Sequence, residues 1–122
     1  MRVSSGSRRP RGSVRRGGGS AVVVLTTAGS RAEGERIASA LVEERLVACV
    51  NLLPVTSVYR WRGAVERGNE TLLVMKTRRA LVTRLGARIT ALHSYEVPEV
   101  VALPVVAGAR PYLAWLLGET VP

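Results

Sequence analysis

Two long extended segments that meet at a glycine limit what this chain can fold into. The first, VACVNLLPVTSVYRWRG, ends at Gly63, and AVERGNETLLVMKT follows it to residue 77. Gly63 can turn the chain back on itself, so the two segments predict a long β-hairpin. Pro54 predicts a bulge, a bend or an edge position in the first strand. One small domain cannot cover a hairpin of this length, so we expect its far end to contact a partner.

A strand and a helix are predicted before the hairpin. AVVVLTT, residues 21–27, is an apolar and mostly β-branched run that is typical of a central strand. Ser30, with Glu33 three residues later, is a capping-box pattern. It predicts a helix that runs to about residue 46.

A helix, a strand and a short terminal helix are predicted after the hairpin. Apolar residues at helical spacing predict a second helix over residues 78–93. EVVALPVV, residues 99–106, predicts a fourth strand, and Gly108 is expected to end it. Pro111 suits the first turn of a terminal helix, PYLAWLLG.

The resulting order, β-α-β-β-α-β with a short C-terminal helix, predicts an α+β ferredoxin-like sandwich. In this fold an antiparallel four-stranded sheet carries two helices on one face. The length of 122 residues suits one such domain. With 47% apolar residues and no Phe, the core must be aliphatic. A chain this short and this apolar is expected to bury part of its surface against another subunit.

The charge of the chain is uneven. Residues 1–20 contain six arginines and no acidic residue, whereas twelve basic and nine acidic residues leave the rest at +3. This Gly/Ser/Arg-rich segment is predicted to be a flexible tail before a domain over residues 21–122. The alternative is that this segment is an arm that binds nucleic acid or an anionic surface. No apolar run is long enough to cross a membrane.

Cys49 is the single cysteine of the chain, which excludes an internal disulfide and a multi-cysteine zinc site. A reducing compartment therefore fits, and the expected location is cytoplasmic. Cys49 itself, between Ala48 and Val50, is interpreted as a small buried apolar residue.

His93 is the single histidine, and its pattern leaves three roles open. It is predicted in the last turn of the second helix, where an imidazolium would interact well with the helix dipole. It could instead bind copper or zinc together with the nearby carboxylates Glu96 and Glu99. General base catalysis is the third role, although no nucleophile is visible beside it.

The aromatic residues also leave two interpretations. Tyr59 and Trp61 share one strand face by the period of two, and Trp115 lies in the terminal helix. They could pack beneath that helix or at a subunit interface. Alternatively, they could line a ligand cleft that also uses Lys76, the single lysine.

From about residue 20 to 119 the chain resembles the CutA divalent-cation tolerance proteins. The stretches that carry the resemblance are AVVVLTTA, ALVEERLVACVNLLPVTSVYRWRGAVE, LLVMKT, HSYEVPEVVALPV and YLAWL. The resemblance implies a ferredoxin-like homotrimer, similar to the PII signalling proteins, in which the long hairpins pair across subunits. It also implies a non-catalytic role in the response to divalent metal ions, with copper or zinc as the expected ligand. A small-molecule or anion sensor of the PII type is the alternative.

The resemblance also implies a site between subunits. Some bacterial members of the family are associated with copper binding through a Cys at the end of the first strand and two adjacent His. Here those positions hold Thr26, Leu92 and His93, so only His93 remains as a metal ligand, which argues against Cu(I) with its preference for thiolates. The residues that carry over to the inter-subunit cleft are Tyr59, Trp61, Lys76, His93, Tyr95, Glu99 and Trp115.

Two further function classes fit this element order less well. RNA-recognition domains share it, but they stack bases on aromatic residues of the strand that here reads LLVMKT. An acylphosphatase-type enzyme would hold an anion in the loop after the first strand, where Arg31 lies. That loop has no positioned Asn.

Overall fold

The structure is a computed structural model that describes residues 14–16 and 20–122. The described residues form six strands and three α-helices, and one short 3-10 turn precedes the second helix. The elements are β1 (Val14–Arg16), β2 (Ala21–Ala28), α1 (Arg31–Glu43), β3 (Cys49–Trp61), β4 (Ala64–Arg78), the 3-10 turn (Arg79–Leu81), α2 (Val82–Leu92), β5 (Val101–Pro104), β6 (Ala107–Ala109) and α3 (Arg110–Glu119).

The main sheet has four strands in the order β3-β4-β2-β5, and every neighbouring pair is antiparallel. From β2 to β5 the elements follow the predicted β-α-β-β-α-β order, so the α+β class is confirmed. No helix in the described part of the chain is long and apolar enough to cross a membrane.

The β3–β4 hairpin is continuous from its base to its turn. Its register runs without interruption from Cys49 opposite Lys76 to Trp61 opposite Ala64. Arg62 and Gly63 make the turn with φ values of 50° and 84°. A two-residue hairpin turn of type I′ requires positive φ at both positions, which Gly adopts freely. Pro54 sits in an edge strand of this sheet, so the edge position is correct and there is no bulge.

Alternation along β2 separates a core face from an open face. Val22, Val24 and Thr26 are buried against the helices, while the residues between them are half-buried. The core on the helix side is aliphatic, as expected. Its fully buried large side chains include Ile37, Leu41, Leu73, Met75, Leu81, Leu85 and Ile89.

The opposite face of the sheet is apolar and open in the single chain. The register places Leu25 and Val23 beside Val101 and Leu103 of β5 on this face. Val101 is 46% exposed and Leu103 is 48% exposed. These apolar side chains are half exposed in the single chain, so the open face is a surface of the kind that binds a partner.

The cap of α1 differs in part from the prediction. Ser30 is the N-cap, and its Oγ accepts a hydrogen bond from the Glu33 N–H at 3.1 Å. Glu33 itself accepts hydrogen bonds from Ser94 instead of completing a capping box. The sequence pattern therefore finds the cap and misses the long-range partner.

The second helix is shorter at both ends than the predicted residues 78–93. It opens with the 3-10 turn, and α2 ends at Leu92. His93 was predicted in the last helical turn, but it is the extended C-cap residue with φ −87° and ψ 145°. His93 therefore lies one residue beyond α2 at its C-terminal end, and an interaction with the helix dipole stays a prediction.

A small second sheet joins the two ends of the domain. Strand β5 ends at Pro104, and Gly108, predicted to break a strand, lies inside β6, which pairs with β1. A Cβ on Gly108 would lie 3.1 Å from Leu113, so a glycine lets α3 pack closely here. The sequence predicted no strand at β1. The rest of the predicted flexible tail, residues 1–13 and 17–19, lies outside the described residues.

Candidate functional site

A cleft of about 570 Å³ lies between the β3–β4 hairpin and the segment that links α2 to β5. We call it the hairpin cleft. Its lining combines aromatic, acidic and hydroxyl side chains. The lining residues are Thr27, Ser57, Val58, Tyr59, Trp61, Glu70, Tyr95, Glu96, Val97 and Glu99.

The hairpin supplies one wall of the cleft. Ser57, Tyr59 and Trp61 alternate along β3 and share its open face. Tyr59 is 47% exposed and Trp61 is 43% exposed, so both rings are available to a ligand or a partner. The guanidinium of Arg62 lies 5.3 Å from the centroid of the Trp61 ring. That distance is within the range of a cation–π interaction.

Glu70 and Tyr95 join the hairpin to the opposite wall. The Tyr95 hydroxyl donates a hydrogen bond of 2.7 Å to Glu70 Oε2. Burial alone would raise the pKa of Glu70, but hydrogen bonds from Ser57, Tyr95 and Thr27 outweigh it and lower this pKa. Burial, followed by the bond to Glu70, raises the pKa of Tyr95. At neutral pH Glu70 is therefore a carboxylate and Tyr95 a phenol.

His93 lies behind the cleft and holds Tyr95 in place. Its side chain is fully buried. Its Nε2 lies 2.7 Å from the Thr27 carbonyl oxygen, and Nδ1 accepts the Tyr95 N–H at 3.0 Å. These partners assign the proton to Nε2 and give a neutral ring. The imidazole also packs against the Tyr95 ring at a centroid distance of 4.6 Å, with the two ring planes tilted by 41°.

Glu33 anchors the same segment from α1. Its carboxylate accepts hydrogen bonds from Ser94 N at 2.8 Å and Ser94 Oγ at 3.0 Å. Burial would raise the pKa of Glu33, but the hydrogen bonds from Ser94 outweigh burial and lower this pKa. Gly29 leaves room for this arrangement, because a Cβ there would lie 3.3 Å from the Tyr95 hydroxyl. The loop that carries Tyr95 is therefore fixed from two sides.

The structure brings four of the predicted site residues together. Tyr59, Trp61, Tyr95 and Glu99 line the hairpin cleft, whereas His93 contacts it through Tyr95. Lys76 lies on the same strand as Glu70, roughly 20 Å away by the rise of a β-strand.

Lys76 and Trp115 have other neighbours in the single chain. The Lys76 ammonium contacts Asn51 and lies 4.0 Å from Cys49 Sγ. Trp115 packs against Tyr112 in α3 with a centroid distance of 5.5 Å. That these two residues belong to a cleft between subunits stays a prediction.

Sequence reasoning missed Glu70, although the pattern contained a signal for it. A turn at Gly63 fixes the hairpin register, and that register places Glu70 opposite Val55 on the face of Tyr59. The contacts of Thr27 and Ser57 with Glu70 depend on the packed loop after α2, and no local pattern announces them.

The described residues offer a single metal ion a poor site. No group of three His, Cys, Asp or Glu within residues 14–16 and 20–122 is placed to hold one. Both ring nitrogens of His93 are already in hydrogen bonds. Thr26 faces the core rather than the cleft, and it is fully buried. That His93 binds a metal stays a prediction, and such binding would require its ring to give up a hydrogen bond.

Comparison with known proteins supplies a family. The sequence profile described as CutA1 divalent ion tolerance protein matches residues 22–119. The divalent-cation tolerance protein CutA of Thermus thermophilus is 52% identical over 99 residues, which cover 80% of this chain and 96% of the relative. Human protein CutA is 44% identical over 99 residues, which cover 80% of this chain. The aligned part spans only 55% of the human protein and 55% of the Arabidopsis thaliana protein CutA, chloroplastic.

Solved structures agree with the sequence comparison. The Thermus thermophilus divalent cation tolerance protein superimposes with a TM-score of 0.81 at 50% identity, covering 83% of this chain and 99% of that one. The periplasmic divalent cation tolerance protein CutA of Archaeoglobus fulgidus gives a TM-score of 0.77 at 35% identity, covering 79% and 94%. The chain belongs to the CutA1 divalent ion tolerance protein family.

Proposed function

We propose that this protein acts in the tolerance of divalent cations as a non-catalytic, ligand-binding homotrimer, with the hairpin cleft as its ligand site. Family membership supports the role in tolerance, since relatives carry that function in their names. The observation that carries the site is the lining of the hairpin cleft. It contains three carboxylates, from Glu70, Glu96 and Glu99, and no Arg, Lys or His.

The contacts in the cleft support binding rather than catalysis. A catalytic Ser or Thr needs an adjacent base that takes its proton. Ser57 and Thr27 hydrogen-bond to Glu70, whose own pKa is lowered, and the nitrogens of His93 are bonded to backbone groups. Arg31 was the candidate anion-binding residue in the acylphosphatase hypothesis. Its side chain pairs with Glu35 at 2.9 Å on the exposed surface of α1. An anion sensor is less well supported, because the cleft lining is acidic.

Two surfaces support the proposed trimer: the open face of the sheet and the end of the hairpin. The strand order β3-β4-β2-β5 fits a ferredoxin-like sandwich, whose sheet leaves one face for association. Val58 and Val65 near the hairpin turn are 61% and 65% exposed. We propose a PII-like arrangement in which three copies cover these surfaces and the hairpin cleft stays open between subunits. Burial of this apolar area would drive the association.

A cytoplasmic location is part of the proposal. Its support is the free, half-buried Cys49, which suits a reducing compartment. Relatives named chloroplastic and periplasmic occur in the family, so fractionation of the source cell is the direct test.

Two measurements test the proposed function. Native mass spectrometry of the full chain, with and without Cu(II) or Zn(II), should give a trimer and report any metal that it carries. Expression in a host that lacks its own CutA relative should restore growth on elevated Cu(II) or Zn(II). A monomer at micromolar concentration would contradict the assembly, and growth equal to that of the empty vector would contradict the role in tolerance.

A further inference from the structure

We propose that the hairpin cleft binds an organic cation, an ammonium or guanidinium group on an apolar body, in preference to a bare metal ion. This inference rests on the proposed use of the cleft as the ligand site and names the class of its ligand. Four independent properties of the cleft carry it: its charge, its aromatic wall, the position of Arg62 and the scattered placement of its carboxylates.

The charge of the lining selects a cation. Glu70, Glu96 and Glu99 line the cleft, and none of its lining residues is basic. Glu70 is the least exposed of the three, and its carboxylate is held by hydrogen bonds from Tyr95, Ser57 and Thr27. Glu99 is exposed, and no hydrogen bond or ion pair joins it to another described residue. A ligand cation would therefore meet one fixed carboxylate and one that is free to pair with it.

The aromatic wall selects an organic body. Tyr59, Trp61 and Tyr95 surround the same space as the carboxylates. The face of an aromatic ring attracts ammonium and guanidinium groups and also packs against apolar carbon. The volume of about 570 Å³ lies within the range of small-molecule sites. A single hydrated metal ion would leave most of this space and its aromatic surface unused.

Arg62 already places an organic cation against this wall. Its guanidinium lies 5.3 Å from the Trp61 ring centroid, and its Nη2 lies 3.4 Å from Glu96 Oε1. Both partners line the cleft. The side chains of Arg62 and Glu96 are 74% and 78% exposed, so their ion pair is weak and easily displaced. At the rim of the cleft, the Arg62 guanidinium thus makes the same kind of contact with an aromatic ring and a carboxylate that we infer for the ligand cation.

The carboxylates are too scattered for a bare metal ion. A divalent metal needs several ligand atoms that converge within about 2.0–2.6 Å of one point. No group of three His, Cys, Asp or Glu in the described parts of the chain meets that condition. An organic cation is larger and can pair with one carboxylate while its body contacts the rings.

The test uses three probes of one shape and different charge: 2-phenylethylammonium, 2-phenylethanol and phenylacetate. Trp61 and Trp115 are the two tryptophans, so the full-length Trp115→Phe variant leaves Trp61 as the fluorescent reporter. We expect the ammonium to change Trp61 fluorescence saturably and to bind about tenfold more tightly than the alcohol, as one charge-assisted contact allows. Phenylacetate should not bind. Calorimetry on the unsubstituted protein repeats the series without relying on the variant.

Three substitutions locate the effect. Glu99→Gln and Glu70→Gln should each weaken the binding of 2-phenylethylammonium severalfold, and Gln at 70 can still accept the Tyr95 hydrogen bond. Glu43→Gln, an exposed carboxylate on α1 outside the cleft, is the matched control and should change nothing. Arg62→Gln should tighten binding, since it removes the competing cation from Trp61.

Two outcomes would overturn the inference. One is equal affinity for the three probes, and the other is no binding in a protein that is trimeric and confers metal tolerance. In the second case the proposed function stands and only the ligand class fails. Ammonium binding that depends on Glu99, without any effect on metal tolerance, would support the ligand class and contradict the proposed role.

Discussion

Thr26 carries a polar atom that its surroundings do not satisfy. Its side chain is fully buried on the core face of β2, and Oγ1 has no hydrogen-bond partner. Thr26→Val replaces the hydroxyl by a methyl group of similar size and removes the cost of burying it, about 1 kcal/mol or more. We therefore expect a higher free energy of unfolding for the variant, measured by urea denaturation.

Thr27→Val is the matched control for that substitution. Thr27 lies one residue further on the cleft face, and its hydroxyl hydrogen-bonds to Glu70. Its replacement should lower stability. A lower stability for Thr26→Val as well would mean that the Thr26 hydroxyl has a partner in solution.

Glu33 should make stability depend on pH. Burial alone would raise its pKa, but the hydrogen bonds from Ser94 bring this pKa below the ordinary 4.5. A carboxyl group with a lower pKa in the folded state contributes stability that is present above its unfolded pKa and is lost as the pH falls through its folded pKa. Glu33→Gln should therefore be less stable than the parent at pH 7, and this difference should shrink below pH 4.5.

Urea denaturation at several pH values measures that difference, with Glu43→Gln as the control on the exposed face of α1. A difference between parent and Glu33→Gln that stays constant with pH would contradict the assignment of the charged carboxylate as the stabilising form.

At the residue scale, the sequence pointed to the right neighbourhood but not to the right contacts. Tyr59, Trp61, Tyr95 and Glu99 do line one cleft. His93 drew attention as the single histidine, yet its hydrogen bonds to Thr27 and Tyr95 make it a support for the cleft wall. Local patterns cannot reveal such contacts, because the partners lie far apart along the chain.

Among the elements, the hairpin turn gives the clearest prediction. Gly63 has φ +84°, where a side chain is strained. Gly63→Ala should lower the free energy of unfolding by about 1 kcal/mol. Gly68→Ala, in the middle of β4, is the control, because a Cβ there meets nothing within 4 Å and no positive φ strains it. Thermal or urea unfolding compares the two, and equal losses would show that the turn is not the cause.

The elements of this chain were easier to predict than their ends. β2 and the hairpin have strong apolar periodicity, and their predicted limits differ from the structure by about one or two residues. The fourth strand was predicted over residues 99–106 but spans only Val101–Pro104. It is short because only four of its residues pair with β2, and pairing is a tertiary property. The β1–β6 pair was missed for the same reason.

At the scale of the whole molecule, one charge introduced on the open face tests whether the protein associates through that face. Leu103 on β5 is 48% exposed, and its neighbours on the open face are apolar. Leu103→Glu should leave the fold intact and shift the protein toward monomer, because a carboxylate is costly to bury without a partner. Native mass spectrometry and circular dichroism measure the two effects.

Val42→Glu is the control for the association test. Val42 is 42% exposed on α1, on the other side of the sheet. The Val42→Glu substitution introduces the same charge at a similarly exposed position and should leave the assembly unchanged. A Leu103→Glu protein that assembles like the parent would place the interface elsewhere.

The unbroken register of the β3–β4 hairpin also restricts how this protein can change length during evolution. Side chains alternate between faces, so a deletion of one residue from each strand between the Val55–Glu70 pair and Tyr59 would turn Tyr59 and Trp61 away from Glu70. Only changes of two residues per strand would preserve the cleft. Homologues that keep this site are therefore expected to have hairpins that differ in length by such paired steps, and an odd difference would mark a lineage in which the cleft has been lost.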